Sequence, residues 1–328
     1  MIKIKYPILV TWLILLVVFI GSIFLGRYPE PGFLSSDSII KDPLVIQLLI
    51  NLRIPRVISA LLLGISLSLA GLVMQTAFQN PLIDPGFLGV SQGAAFGAAL
   101  AIIFGGSFGI IIQGSAIFFG LLGLGLSFWI SKNIRFGGQV LKLILAGLAV
   151  SALFSAGVGI LKYLADPLLQ LPEIVFWLLG GLWSIKWLDI IYLLPFVLGG
   201  IILLFFYRWR LNVLSLSEEV AFSLGVKKNK ETTLAILIAV IITASMVSIS
   251  GIVSWIGLVV PNIARIITGA DTAKSVPLTI ALGGIFALIC DDLARTLLAG
   301  EIPLSIFTAF FGATIFIALI SIKKGGLH

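Results

Sequence analysis

Charged side chains are scarce in this chain. Of its 328 residues only 11% are Asp, Glu, Lys or Arg, against 59% hydrophobic, and the mean hydropathy is +1.20. That is too little charge to clothe a water-soluble globule of this size, so the bilayer is the expected solvent. Histidine and cysteine are nearly absent, with one of each: His328, the last residue, and Cys290 in an apolar run. They cannot build a His/Cys metal cluster or a Cys–His nucleophile, and an intrachain disulfide is excluded. Cys290 reads as a small packing residue. No Gly-x-x-x-x-Gly-Lys-Ser/Thr run occurs, so there is no P-loop to cradle nucleotide phosphates. Acidic residues are missing from the centre of every apolar run, which argues against a carrier driven alone by protons or sodium.

What is present is apolar sequence in lengths that cross a membrane. Runs at 7–26, 57–78, 87–106, 109–131, 139–161, 188–207, 233–250, 252–268, 276–298 and 302–322 predict about ten spans. Helix is the expected form, because unpaired backbone amides in hydrocarbon cost several kcal/mol each. The first run has no convincing small-x-small cleavage site and is read as a retained span. An even number of spans puts both termini on one side. Lys3, Lys5, Lys323 and Lys324 make that side cytoplasmic, together with Lys132, Arg135, Lys142, Arg208, Arg210, Lys227, Lys228, Lys230, Arg265 and Lys274. Arg27, Lys41, Arg53, Arg56, Lys162, Lys186 and Arg295 are left outside. The net charge of +7 is therefore topology and surface charge, and supports no nucleic-acid reading.

Two stretches resemble each other. Ser68, Gly71 and Val73, followed by Pro81 and Gly89, match Ser248, Gly251 and Val253, followed by Pro261 and Gly269, at one constant offset. Small residues also recur because they let helices pack closely. The constant offset instead favours a duplication, with spans two to five repeated as spans seven to ten in inverted topology. The chain is then one transmembrane domain over 1–328, with halves at about 53–165 and 232–322 joined through a cytoplasmic loop at 208–231.

Four segments carry site-like features. Arg53 and Arg56, flanking Pro55, lie outside against the charge rule. They offer planar donors on one helix face, either to lipid phosphate and Asp42 or, with Arg295, to an acidic external partner. Pro55 is expected at the start of its helix. Asp291 and Arg295 have the i,i+4 spacing of a local ion pair. On the inner side Asn80, Pro81 and Leu82, followed by Asp84, Pro85 and Gly86, force a turn, which is either a tight connection or part of an inner gate. In the long loop, Ser217 caps a short helix with Glu218 and Glu219 in its first turn and Gly225 at its end. Val220, Ala221 and Leu224 are expected on one face, which either lies on the bilayer or meets a motor the chain lacks. The fourth segment, from Gly251 through Trp255, Gly257 and Pro261 to Arg265, is read as the second copy of the region between Gly71 and Pro81.

In order, these segments resemble the permease subunits of ABC importers for iron-siderophores, haem and cobalamin. The matching residues are Arg53, Pro55 and Arg56; Gly71 through Gln75; Asn80, Pro81, Leu82, Pro85, Leu88, Gly89 and Val90; Leu145, Ala146 and Gly147; Leu224 and Gly225; Ile256, Gly257, Leu258, Pro261, Ala264 and Arg265; and Glu301 and Pro303. The resemblance implies an all-α type II importer permease in a bacterial or archaeal cell membrane. It would work as a homodimer with two ATPase subunits on the cytoplasmic face and a binding protein outside. ATP and Mg would belong to the ATPase, leaving this chain without catalysis, cofactor or metal. By the same likeness, Ser217, Glu218, Glu219, Val220, Ala221, Phe222, Leu224, Gly225 and Val226 are the coupling contact. Arg53, Arg56 and Arg295 receive the binding protein. Asn80, Pro81 and Leu82, with Gln139, Val140 and Leu141, form the inner gate. The chain departs from the family pattern at Asn262, where many relatives have His, and at Cys290-Asp291-Asp292. The cargo expected is a metal chelate, with molybdate or tungstate on the same architecture as the alternative. A lone secondary transporter or an intramembrane enzyme fits the sequence less well.

Overall fold

In the computed structural model, which describes residues 7–35, 40–105 and 109–324, the apolar runs are helices. They are α1 (Pro7–Phe24), α2 (Pro43–Ala77), α3 (Val90–Phe104), α4 (Gly109–Asn133), α5 (Gln139–Leu164), α6 (Gln170–Leu179), α7 (Trp187–Leu214), α8 (Glu218–Ser223), α9 (Lys228–Ser250), α10 (Ile256–Thr268), α11 (Thr272–Thr296) and α12 (Leu304–Lys324). Every one of the ten expected spans is found as a helix. Eight are long and apolar enough to cross a membrane, while α3 and α10 are shorter. Lys3, Lys5 and His328 lie outside the described residues.

The differences have local causes. Pro55 stands in the first turn of the regular α-helical stretch Ile54–Ala77, as expected, but α2 as a whole begins twelve residues earlier, where Asp42 accepts from the Leu44 N–H at 2.9 Å and Pro43 takes the first turn. A π-helical turn over Leu49–Arg53 ends two residues before Pro55, and a widened turn of this kind accommodates the missing N–H. The amphipathic α6 and the two-stranded hairpin Leu25–Gly26 with Gly32–Phe33 were not foreseen. Both fall between spans and are too short to leave a periodic signal.

At the centre of the bundle is α2, the most enclosed of the long helices. Close approach to its neighbours is possible because glycine faces glycine: a Cβ on Gly64 would sit 2.1 Å from the Gly283 carbonyl oxygen, and one on Gly71 would sit 1.9 Å from that of Gly257. The packing repeats as the duplication requires. The first helix of each half crosses into the other half, α2 against α10 and α11, and α9 against α3 and α4.

The residue register of the repeat, however, is not the one the sequence match suggests. Gly71 lies inside continuous helix, whereas Gly251, at φ 66°, ends α9. Pro81 is in a turn, whereas Pro261 is inside α10. The structural counterpart of Gly89, which starts α3 at φ 81°, is Trp255, which starts α10 at φ 74°. Small residues recur in both halves for close packing, so residues matched at one offset need not hold the same place in each half.

Candidate functional site

The arginines expected on the outer face form an ionic cluster built from distant parts of the chain. Arg56 on α2 donates from Nε to Asp291 on α11 at 2.9 and 3.2 Å. Its Nη1 donates to both oxygens of Glu301 at 2.7 Å. Arg295 donates to the carbonyls of Ser22 and Leu25 and to Asp292, while the Ser22 hydroxyl donates to Asp292 at 2.7 Å. The expected Asp291–Arg295 pair is present at 3.6 Å, but Asp291 makes its closer ion pair with Arg56. Arg56 and Arg295 are both buried and committed within the chain, so neither is presented to the outside as the docking reading assumed. Arg53, half-buried, donates to the Tyr28 carbonyl at 2.7 Å, and its Nη1 has no partner among the described residues. Asp42, the acid considered for these arginines, instead accepts from the Tyr28 hydroxyl at 2.8 Å.

The turn expected at Asn80, Pro81 and Leu82 exists. Asn80 closes it by accepting from the Leu82 N–H at 2.9 Å, and Leu82 stands at its tip, 58% exposed. Behind it Asp84 accepts from the Gly86 N–H at 2.9 Å and starts a 3-10 turn, Pro85–Leu88. Val140 and Leu141 are exposed at the start of α5; Gln139 is helical, and its side chain lies outside the described residues. The two segments expected to form the gate line separate cavities. Leu82 borders one of about 380 Å³ with Asn262, Arg265 and Phe316, and Val140 borders one of about 220 Å³ with Phe78 and Gln79.

Burial pushes the Asp84 carboxyl up to about 6. A carboxylate with a raised folded value destabilises the fold where it is ionised: the penalty is absent below about pH 3.9 and fully present above about pH 6. Stability should therefore fall as pH rises through that window. Asp84→Asn keeps an oxygen for the Gly86 N–H and removes the charge. Allowing for the water that reaches this partly exposed group, it should gain about 1–2 kcal/mol at pH 8 and nothing at pH 4. Thermal unfolding in detergent at the two pH values reads this; equal shifts at both would overturn it.

The loop helix α8 is as anticipated at both ends. The Ser217 hydroxyl accepts from the Val220 N–H at 3.4 Å, and Gly225 at φ 75° follows the helix, with the Val226 N–H donating to the Ala221 carbonyl at 3.0 Å. The faces differ from expectation. Ala221 is fully buried against the body, leaving Val220, Phe222 and Leu224 exposed at 47%, 76% and 60%. Glu218 accepts from Asn229 at 3.2 Å and Lys228 donates to the Leu216 carbonyl, so the knob is tied to the foot of α9.

Sequence reasoning missed a cavity of about 470 Å³ between α4, α6, α7 and the end of α9, lined by Gln113, Glu173, Trp177, Trp183, Asp189 and Ser248 among others. Asp189 accepts from Gln113 at 2.7 Å and from the Lys186 N–H at 2.8 Å. The acid three residues after Lys186 was the one available signal, a helix-start pattern.

Comparison with known proteins gives a consistent result. A model described as the FecCD transport family matches residues 13–322. The molybdate import system permease protein MolB of Haemophilus influenzae is 38% identical over 99% of this chain and 98% of its own length. The hemin transport system permease protein HmuU of Yersinia pestis is 35% identical over 83% of this chain and 82% of its own. A solved structure described as an inward-facing conformation of a metal-chelate type ABC transporter superposes with a TM-score of 0.88 at 38% identity, covering 96% of this chain and 98% of that one.

Proposed function

Since the chain belongs to the FecCD transport family, we propose that this multi-pass permease imports a metal chelate by alternating access. The work comes from ATPase subunits bound at the cytoplasmic face, and a second copy of the chain completes the path. The observation that carries this reading is likeness along nearly the whole chain to a metal-chelate type transporter. Relatives named for iron chelatin, hemin, cobalamin and iron(3+)-hydroxamate agree with it. The exposed apolar side chains of α8 are the contact for the ATPase. Both termini face the cytoplasm. An external binding protein docks at the outer end of α2, with Arg53 as its contact and with Arg56 and Arg295 holding the platform beneath it. The inner gate is the turn at Asn80, Pro81 and Leu82, with Gln139, Val140 and Leu141 as its second element. The second cargo reading, an oxyanion, is favoured by the likeness to MolB.

Proteoliposomes holding this chain with its ATPase and binding protein test both readings. A panel of ferric hydroxamate, haem, cobalamin and molybdate should show ATP-dependent uptake of a chelate and none of molybdate. Molybdate alone being taken up would overturn the chelate assignment, and uptake without ATP would overturn the motor.

A further inference from the structure

The carbonyls on either side of Leu82 are both gripped by side chains. Gln75, buried near the end of α2, donates from Nε2 to the Ile83 carbonyl at 3.3 Å and to those of Gly257 and Leu258 at 3.1 Å. Its Oε1 accepts from Arg265. The same Arg265 Nη2 donates to Asn262 Oδ1 at 3.1 Å. Asn262 Nδ2 donates to the Leu258 carbonyl at 2.7 Å and to the Pro81 carbonyl at 3.0 Å. A closed chain therefore runs from Ile83 through Gln75, Arg265 and Asn262 to Pro81. It spans α2, α10 and the turn between α2 and α3.

The residue types suit the task. A primary amide accepts and donates through one planar group, so Asn262 can hold Arg265 with its oxygen while its two N–H groups hold two carbonyls. Arg265 supplies a fixed, planar donor that orients both amides. The two ends of the chain differ in exposure. The Gln75 bonds to Ile83 and Gly257 are buried and those with Leu258 and Arg265 part-buried, whereas the Asn262–Pro81 bond is exposed and borders the cavity that Pro81, Leu82, Asn262 and Arg265 line. Water or a passing solute can compete for the Asn262–Pro81 bond and not for the buried bond from Gln75 to Ile83.

We infer that Gln75, Arg265 and Asn262 are positioning residues of the inner turn, with Gln75 and Arg265 as a fixed anchor and Asn262 as a clasp that opens. While the clasp is closed, Leu82 is held on α10, so the turn moves only with the second half. Once Asn262 releases Pro81, the tip of the turn is free while its root at Ile83 stays in place. This inference rests on the reading of Asn80, Pro81 and Leu82 as the inner gate.

The test uses the full chain in its transporter complex. Leu82→Cys provides a thiol at the tip; Cys290 is buried and stays silent to a maleimide probe. In that background Asn262→Leu should raise the labelling rate several-fold and speed amide exchange at 80–84, with exchange in the helical interior of α2 and α10 unchanged. Asn262→His, which keeps a ring N–H donor, should restore both. If Asn262→Leu does not assemble, Asn262→Ala makes the same test. Unchanged labelling and exchange would overturn the clasp. A rise spread evenly along α2 and α10 would also overturn it, since that is the mark of a packing residue. The gate reading is tested separately by Leu82→Ala, which removes the tip but no bond of the clasp. Normal uptake there, with Asn262→Leu still loosening the turn, would overturn the gate and leave the clasp standing.

Discussion

Arg56→Leu should cost about 3–5 kcal/mol of stability, enough to remove the chain from the folded pool, whereas Glu301→Ala should cost about 1 kcal/mol or less. Both remove a partner from one guanidinium, and the difference lies in what remains. Asp291 is 1% exposed and takes both Arg56 Nε contacts; without Arg56 its nearest cation is Arg295 Nε at 3.6 Å, which makes no hydrogen bond. A buried carboxylate in that state meets neither water nor a good donor. The Glu301 side chain is 42% exposed and can return to solvent. Arg56→Lys should fall between the two, because one ammonium cannot serve two acids with the geometry of a planar fork. The double variant Arg56→Met with Asp291→Leu should regain most of the loss, since removing both charges strands neither. Thermal unfolding in detergent, followed by retention of the size-exclusion peak, reads all four. Equal losses for Arg56→Leu and Glu301→Ala would show that burial of Asp291 is not what the arginine offsets.

This cluster also shows where the sequence was legible and where it was not. The spans were readable because hydrocarbon imposes length and apolarity directly, and α1, α4, α5, α7, α9, α11 and α12 all stand where the runs placed them. The caps of α8 were readable because Ser217 and Gly225 act within a few residues of themselves. Partners of Arg56 were not, because Asp291 is 235 residues away and only the crossing of α2 against α11 brings them together. The i,i+4 rule instead offered Arg295, a neighbour in sequence but the poorer match in geometry. Gln75 and Arg265 appeared as motif residues with no role for the same reason, their partners being backbone carbonyls of another segment. Periodicity also cannot reveal which side of a six-residue helix is buried. Ala221 was grouped with Val220 and Leu224, yet it alone faces the body.

That last detail decides the most severe transport defect expected. Phe222→Asp should reduce ATP-driven uptake at least about tenfold while leaving stability within about 0.5 kcal/mol. Phe222 is 76% exposed and sits between two other exposed apolar side chains, Val220 and Leu224. Burying such a ring against a partner is worth about 1.5–3 kcal/mol, the scale of an interface hot spot. An aspartate forfeits that term and brings a third negative charge beside Glu218 and Glu219. Its helix should persist, because the Ser217 cap, the Gly225 end and the tie from Glu218 to Asn229 do not involve the Phe222 side chain. Ala221→Leu is the opposite case. With no exposed surface at that position, added carbons must displace the body, so stability and uptake should fall together. Co-purification of the ATPase with each variant, read beside proteoliposome uptake, separates contact from fold. If Phe222→Asp keeps both the ATPase and normal uptake, the motor must grip the chain elsewhere than at the exposed face of α8.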